Sequence, residues 1–316
     1  MFKIIACFVL IAVMRAVQRV CSKVSSREIS DGATFFGYGT LYMSAASAFA
    51  LVTLFITGFY GFNVATIVCS FLSALLFAAD LFSGIEAIKG CSLTVASMAA
   101  FGGLVISVVV SYFWFGEGIS IWQIAGLVAF FVAAYLLSPS KKEENKKFTA
   151  KTLIMLAVSF LSNGFVMVIQ KYFSLKVENG NVALFSLLTF VFCALVMAVS
   201  YIVSSLKNRA AATADENEES GKIRLFKPLS RPLIICGLLL ALALFVINLL
   251  ITEMGKTVSS VVLFPVSSAI GLIVTALVGR IAFNEKLSVK NLIGLALGVA
   301  AIVVISVLTP ENLSAF

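Results

Sequence analysis

The chain has 316 residues, of which 61% are hydrophobic and 12% are charged, and its formal net charge is +8. A soluble domain carries about a quarter charged residues, so this composition excludes a globular protein with a largely hydrated surface. The excess of Lys and Arg does not indicate nucleic-acid binding. These residues lie in short segments between apolar runs, where the loops of membrane proteins carry them.

The residues that enzymes and metal sites use most are missing or scattered. The sequence has no histidine, which removes the commonest general base and the commonest metal ligand. Its six cysteines show no metal-ligand spacing, and we expect them to pack as small hydrophobic side chains. There is no paired aspartate motif and no P-loop. The sequence therefore predicts neither an enzyme nor an ATP-driven pump, and no cofactor or metal.

Ten apolar runs are each about 20 residues long, the length that a helix needs to cross a bilayer. None shows the alternating pattern of a membrane β-barrel strand. The first run resembles a secretory signal, but Arg15 and Arg19 stand where a cleavage site would need small residues, so we expect a retained helix. The ten predicted spans are residues 2–22, 34–57, 64–88, 91–114, 119–137, 152–173, 182–205, 232–254, 258–282 and 288–308.

The breaks between these runs have local causes. Residues 58–63 are rich in glycine and predict a turn. Ser120 with Gln123 three positions later forms a capping box at the start of the fifth helix, and Ser288 with Asn291 repeats it in a weaker form. Farther along, residues 207–231 are polar and rich in Ala and Ser, which predicts a flexible loop that ends where Arg231-Pro232 begins the eighth helix.

The sequence of residues 115–126 returns 168 positions later at residues 283–294, without a gap. Such a repeat predicts two copies of one unit. Five helices in each copy is an odd number, so the copies must lie in the membrane with opposite orientation, an arrangement typical of secondary transporters. The expected fold class is all-α integral membrane, with ten transmembrane helices as two inverted five-helix repeats. Its units are residues 1–138, a charged linker at 139–151, and residues 152–309 with the loop at 207–231.

The basic residues are distributed unequally between the two sides of this arrangement. Most of them lie after the odd-numbered helices, on what we call side A. The opposite side, side B, carries only Lys3, Lys171, Lys176 and Lys256. The positive-inside rule places side A in the cytoplasm and both termini outside, in a bacterial cytoplasmic membrane.

The repeated motif resembles that of the EamA-type transporters of the drug/metabolite transporter superfamily. In that family each repeat closes with an aromatic or apolar residue, Glu two positions on, Leu/Ile-Ser, and a Gly about six residues later. The matching residues are Phe115, Glu117, Ile119, Ser120 and Gly126 in the first copy and Phe283, Glu285, Leu287, Ser288 and Gly294 in the second. The resemblance implies a permease or exporter for small metabolites or drug-like solutes, without a cofactor. Many relatives have cytoplasmic termini, whereas the loop charges here indicate external ones.

Asp80 and Asn248 are the leading candidates for a substrate or coupling site. Ionisable residues inside spans are costly and are functional candidates by default. Asp80 lies deep in the third predicted helix, and Asn248 occupies the equivalent position 168 residues later. Two polar residues at equivalent positions suggest two points facing a shared cavity. The alternative is that each makes a buried hydrogen bond that fixes helix packing.

Arg15, Gln18, Arg19 and Ser22 share one face of the first helix by their spacing. Arg15 and Arg19 lie roughly 20–25 Å in from side B, at about the depth of Asp80. An ion pair between Asp80 and either arginine is therefore one hypothesis. The other is that the arginines extend to the headgroups of side A.

Further polar residues are weaker candidates. Glu86 and Glu253, near the ends of the third and eighth helices, are candidates for gating or proton coupling, with a solvated helix end as the alternative. Asn163 and Gln170 make the sixth helix polar, and Lys171 is expected near the surface. Glu86, Glu253, Asn163 and Gln170 complete the candidate binding or coupling set, which also contains Arg15, Gln18 and Arg19.

Glu117 and Glu285, with Ser120 and Ser288, are assigned a structural role in the repeated turns. Each glutamate precedes a capping box, where a negative group stabilises the positive end of a helix.

The predicted partners are the lipid bilayer and a small-molecule substrate, with protons or a counter-solute as the driving species, in a monomer or homodimer. An anionic, cationic or zwitterionic substrate all fit the sequence. A non-transporting membrane partner or sensor remains the alternative function.

Overall fold

The computed structural model describes residues 2–29, 31–90, 99–100, 102–136, 149–214, 229–283 and 289–308. Within these ranges the chain forms ten α-helices and no β-strand. The helices are α1 Phe2–Glu28, α2 Gly32–Thr57, α3 Val64–Gly90, α4 Leu104–Trp114, α5 Ile121–Leu136, α6 Ala150–Lys176, α7 Val182–Ala214, α8 Arg231–Met254, α9 Ser260–Phe283 and α10 Val289–Val307.

Six of these helices, namely α1, α2, α3, α6, α7 and α8, are long and apolar enough to cross a membrane. Large apolar side chains also cover the outside of the bundle. Phe55 and Phe113 are each about 80% exposed, and Trp114 is 74% exposed. Exposing so much apolar surface to water is unfavourable, so the architecture is that of a multi-pass membrane protein.

Short polar side chains begin several helices. Asp31 Oδ1 accepts a hydrogen bond from Thr34 N at 2.6 Å at the start of α2, and Thr149 and Ser230 begin α6 and α8 in the same manner. Pro232 lies in the first turn of α8, as its sequence position predicts.

The predicted turn at 58–63 is present, and its glycines are required. Gly58 and Gly61 have φ values of 87° and 71°, which L residues with a side chain rarely adopt. A Cβ on Gly61 would lie 2.3 Å from Asn179 O. Asn181 Nδ2 donates to Gly58 O at 2.9 Å, so this turn packs against the α6–α7 turn.

Two predicted boundaries differ from the structure. Helix α7 continues to Ala214, so the first part of the predicted 207–231 loop is helical. Four of the eight residues from 207 to 214 are alanine, which is the best helix former. In the fourth predicted span, 91–114, residues 99–100 and 102 are helical, Gly103 lies in a turn, and α4 follows over Leu104–Trp114. Residues 91–98 and 101 lie outside the described residues.

The helices pack in a repeated set of pairs. Helix α3 lies against α6 and α7, while α1 lies against α8 and α9. Helix α2 packs on α7 and α8, α4 packs on α6 and α9, and α5 packs on α10. One hydrophobic core joins α1, α4, α5, α8, α9 and α10, and a second joins α1, α2, α3, α7 and α8. Helices α1 and α8 take part in both cores and connect the two parts of the bundle.

Candidate functional site

Asp80 is held against α6 by two hydrogen bonds. Ser159 Oγ donates to Asp80 Oδ1 at 2.6 Å, and Asn163 Nδ2 donates to Asp80 Oδ2 at 3.4 Å. Ser159 and Asn163 are four residues apart and therefore share one face of α6. We call these three residues the Asp80 cluster. Sequence reasoning missed Ser159, although its spacing from Asn163 was a usable signal.

The hypothesised ion pair between Asp80 and an arginine of α1 is not formed. Among the described residues, the Asp80 carboxylate contacts Ser159 and Asn163 and has no cation within 4 Å. A small hydroxyl and an amide take the place of the guanidinium because α3 packs on α6 rather than on α1.

Arg15 instead makes a contact along its own helix. Its Nη1 donates to Gln18 Oε1 at 3.0 Å, so the predicted common face of Arg15 and Gln18 is confirmed. Arg19 lies four residues farther along α1 and places a second positive charge on the same face. Two positive charges therefore lie close together on a helix that is long enough to span a membrane.

Asn248 is buried in a separate group of polar side chains. Gln170 Nε2 donates to Asn248 Oδ1 at 2.6 Å, and Asn248 Nδ2 donates to Ser186 Oγ at 3.0 Å. We call these three residues the Asn248 cluster. Asn248 is 3% exposed, and both polar atoms of its amide are hydrogen-bonded. This is the geometry of a packing contact that joins α6, α7 and α8.

The two clusters lie at different depths in the bundle. Asp80 is about 24 Å along α3 from its first residue, whereas Asn248 is about 9 Å from the end of α8. On α6, Ser159 and Gln170 are separated by about 16 Å. Helix α6 therefore carries a polar contact at each level, and Asp80 and Asn248 do not meet.

Lys171 is buried, and the expectation that it lies near the surface is wrong. It is 3% exposed, and its Nζ lies 2.8 Å from Glu117 Oε1. The same Nζ donates to Gly255 O at 3.0 Å and to Val258 O at 2.8 Å. A carboxylate and two carbonyl oxygens bind the ammonium group. These contacts offset the free-energy cost of burying its charge.

Glu117 makes a contact at the start of a helix, as expected, but this helix is α9 and not α5. Its Oε2 accepts a hydrogen bond from Ser260 N at 2.7 Å, at the first residue of α9. The negative group therefore stabilises the N-terminus of α9 rather than that of α5. Its repeat-mate Glu285 lies outside the described residues.

The capping box at Ser120 is present and has an additional contact. Gln123 N donates to Ser120 Oγ, and Ser120 N donates to Gln123 Oε1, both at 3.1 Å. Ser120 Oγ also donates to Leu308 O at 2.6 Å, and Gln123 Nε2 donates to Ile305 O at 3.2 Å. The box therefore fixes the start of α5 to the end of α10. Ser288, its counterpart, falls outside the part of the chain that is described.

Glu86 and Glu253 both occupy helix ends. Glu86 Oε2 lies 2.7 Å from Lys151 Nζ, which joins α3 to α6 on side A. Glu253 Oε2 lies 2.9 Å from Lys256 Nζ on side B, and its side chain is 49% exposed. Neither carboxylate lies at the level of the Asp80 cluster.

Several buried polar atoms on different helices have no hydrogen-bond partner among the described residues. Such an atom costs about 1–3 kcal/mol when it stays unsatisfied, and a buried water can supply the missing partner. These atoms include Arg15 Nε, Ser73 Oγ, Ser111 Oγ, Asn163 Oδ1, Thr189 Oγ1 and Ser267 Oγ. Arg15 and Asn163 belong to the set that the sequence indicates.

The fold has a known counterpart. A crystal structure described only as that of a protein matches this chain with a TM-score of 0.71 and 15% sequence identity. The match covers 97% of this chain and 98% of the other. At this identity the likeness shows the fold alone. No protein-family model and no curated protein matches the sequence.

Proposed function

We propose that this chain is a secondary-active transporter of small solutes, built from ten transmembrane helices in two inverted five-helix repeats. It would move metabolites or drug-like molecules by alternating access, as its resemblance to the EamA-type transporters implies. Helices α1–α5 form the first repeat and α6–α10 the second. The solute would bind near the middle of the bundle, between the two repeats.

The observation that carries the proposal is the symmetry of the helix pairs. Exchanging α1–α5 for α6–α10 converts the α3–α6 pair into α8–α1 and the α3–α7 pair into α8–α2. It also converts α4–α6 into α9–α1, and leaves α2–α7, α4–α9 and α5–α10 unchanged. A single helical bundle without an internal repeat has no reason to pair in this manner.

Charged side chains within the long helices give independent support. Arg15 is 13 residues from either end of α1, and Asp80 is 16 residues from the start of α3 and 10 from its end. Charges at such depth are costly in a membrane protein and are kept where a solute or ion passes.

The loop charges support an orientation with side A in the cytoplasm and both termini outside, in a bacterial cytoplasmic membrane. A cysteine placed near residue 60, in the side B turn, should react with an impermeant maleimide added to intact cells. A cysteine at residue 151 should react only after the cells are opened. The reverse pattern would contradict this orientation and leave the inverted repeat in place.

The transport proposal is tested in vesicles reconstituted with the purified full chain. A panel of radiolabelled amino acids, organic acids, amines and nucleosides is supplied outside, with and without a pH gradient. We expect uptake above that of protein-free vesicles for at least one class. Glu178→Gln is the control variant, because this exposed carboxylate in the turn between α6 and α7 should leave uptake unchanged. No uptake of any class, together with a stable complex with another membrane protein, would favour the partner or sensor function.

A further inference from the structure

Arg15 lies at the midpoint of α1. The helix runs from Phe2 to Glu28 over 27 residues, which leaves about 20 Å of helix on either side of Arg15. A side chain at this position is too far from both ends for its guanidinium to reach the headgroups. The charge of Arg15 must therefore be compensated inside the bundle.

The described contacts of Arg15 do not supply that compensation. A guanidinium has five N–H donors, and the one hydrogen bond from Arg15 goes to the neutral Gln18 Oε1 at 3.0 Å. Its Nε is buried without an acceptor in the described part of the chain. Arg19 is four residues away on the same face of α1, and like charges at this spacing repel each other.

Two other charged side chains inside the bundle have partners. Lys171 uses its three donors on Glu117, Gly255 O and Val258 O. Asp80 receives a hydrogen bond on each carboxylate oxygen, from Ser159 and Asn163. Arg15 therefore differs from Lys171 and Asp80. The described contacts of its guanidinium leave donors unused and include no negatively charged group.

We infer that Arg15 is the anion-binding residue of the transport site, and that the substrate is a small organic anion bearing a carboxylate or phosphate. Its free donors can bind two oxygens of such a group side by side, as arginine does with planar or tetrahedral anions. Arg19 adds attraction for the same negative charge. Both carboxylate oxygens of Asp80 already accept hydrogen bonds from α6. An anionic substrate therefore fits these contacts better than a cationic or zwitterionic one. The inference rests on the proposed transport function.

Binding is measured separately from transport, on the purified full chain in detergent. Thermal unfolding is followed with increasing sodium phosphate or sodium benzoate, with sodium chloride at matched ionic strength as the reference. We expect a saturable rise in Tm with at least one of the two anions. Phosphate alone would identify a phosphate-bearing substrate, and benzoate alone a carboxylate.

Variants of Arg15 assign the effect to this residue. Arg15→Gln should weaken the response at least tenfold in anion concentration, and Arg15→Lys should keep part of it. Arg15→Met should unfold, without anion, at a Tm equal to or above that of the parent, because it removes an uncompensated charge. Lys256→Gln, at an exposed position on side B, should respond as the parent does.

The inference is overturned if neither anion gives a saturable response in the parent, or if the response survives in Arg15→Gln. It is also overturned if Arg15→Met lowers the Tm strongly, which would show a structural ion pair. Uptake of neutral or cationic solutes that is unaffected by Arg15→Gln would contradict this inference and leave the transport proposal intact. Anion binding at Arg15 without uptake of any solute would contradict the transport proposal alone.

Discussion

Lys171 Nζ lies 2.8 Å from Glu117 Oε1 and joins the last turns of α6 to the connection between α4 and α5. The other oxygen of Glu117 binds Ser260 N, and Lys171 also reaches the carbonyls of Gly255 and Val258. One buried ion pair therefore ties three segments together at side B: the α4–α5 connection, the α8–α9 turn and α6.

Replacing one partner of this pair should destabilise the fold. Lys171→Met leaves a buried carboxylate with one backbone donor, and Glu117→Gln leaves a buried ammonium with two carbonyls. Each should cost about 3–5 kcal/mol, because an uncompensated charge stays in a low-dielectric site. The double variant should cost less than the sum of the two. Unfolding by denaturant in detergent measures these differences as a double-mutant cycle.

The exposed pair of Glu253 and Lys256 provides the matched control. It also lies at side B, with a separation of 2.9 Å, but its side chains are 49% and 38% exposed. Its removal should change stability by about 1 kcal/mol or less. Equal costs for the two pairs would show that burial does not determine the strength of the Lys171–Glu117 pair.

The sequence predicted the helices well because their signals are local. Apolar runs of spanning length, the turn at Gly58 and Gly61, and the capping box at Ser120 depend on neighbouring residues. The extension of α7 to Ala214 was missed because alanine, which makes up half of residues 207–214, occurs in both loops and helices. The polar composition of that segment outweighed its helix propensity in the prediction.

The site was predicted in part, since its contacts depend on which helices meet. Sequence position identified Asp80, Asn248 and Gln170 as polar residues inside spans. It did not show that Asp80 faces Ser159 on α6 rather than an arginine of α1. Lys171 was misplaced because a lysine near a helix end normally extends to water, and its partner Glu117 is far away in the sequence.

Close packing of α4 and α6 depends on Gly103. A Cβ at this position would lie 2.6 Å from both Gly164 N and Phe160 O. Small residues let helices approach this closely in membranes. Gly103→Ala should therefore force the two helices apart and cost about 1–3 kcal/mol, as overpacking of a tight interface does.

Gly84→Ala is the control for this substitution, because a Cβ there has no atom within 4 Å. Alanine is a better helix former than glycine by about 1 kcal/mol, so Gly84→Ala should leave stability unchanged or raise it. Thermal unfolding of both variants in one detergent compares them directly. A Gly103→Ala protein as stable as the parent would contradict the backbone contact between α4 and α6.

The contact between Ser120 and Leu308 should make the end of α10 sensitive to the capping box of α5. Ser120→Ala removes the acceptor for Gln123 N and the donor to Leu308 O. The loss of an N-cap costs about 0.5–2 kcal/mol, and the lost bond to α10 adds to it. Ser120→Thr keeps a hydroxyl and should retain most of the stability. Hydrogen exchange at the end of α10 should rise in Ser120→Ala and stay low in Ser120→Thr.

Asp80→Asn removes the negative charge of Asp80 but keeps the size of its side chain. This variant therefore tests whether Asp80 acts in transport or only in helix packing. Asp80→Asn can still accept a hydrogen bond from Ser159, so the fold should lose less stability than in Asp80→Ala. In Asp80→Ala the Ser159 hydroxyl and the Asn163 amide lose their shared partner, a loss of about 1–3 kcal/mol for each buried group left unsatisfied. We expect Asp80→Asn to reduce uptake in vesicles and to change its dependence on the pH gradient. If Asp80→Asn transports at the parental rate with the same pH dependence, Asp80 only fixes α3 to α6, and the coupling site lies elsewhere in the bundle.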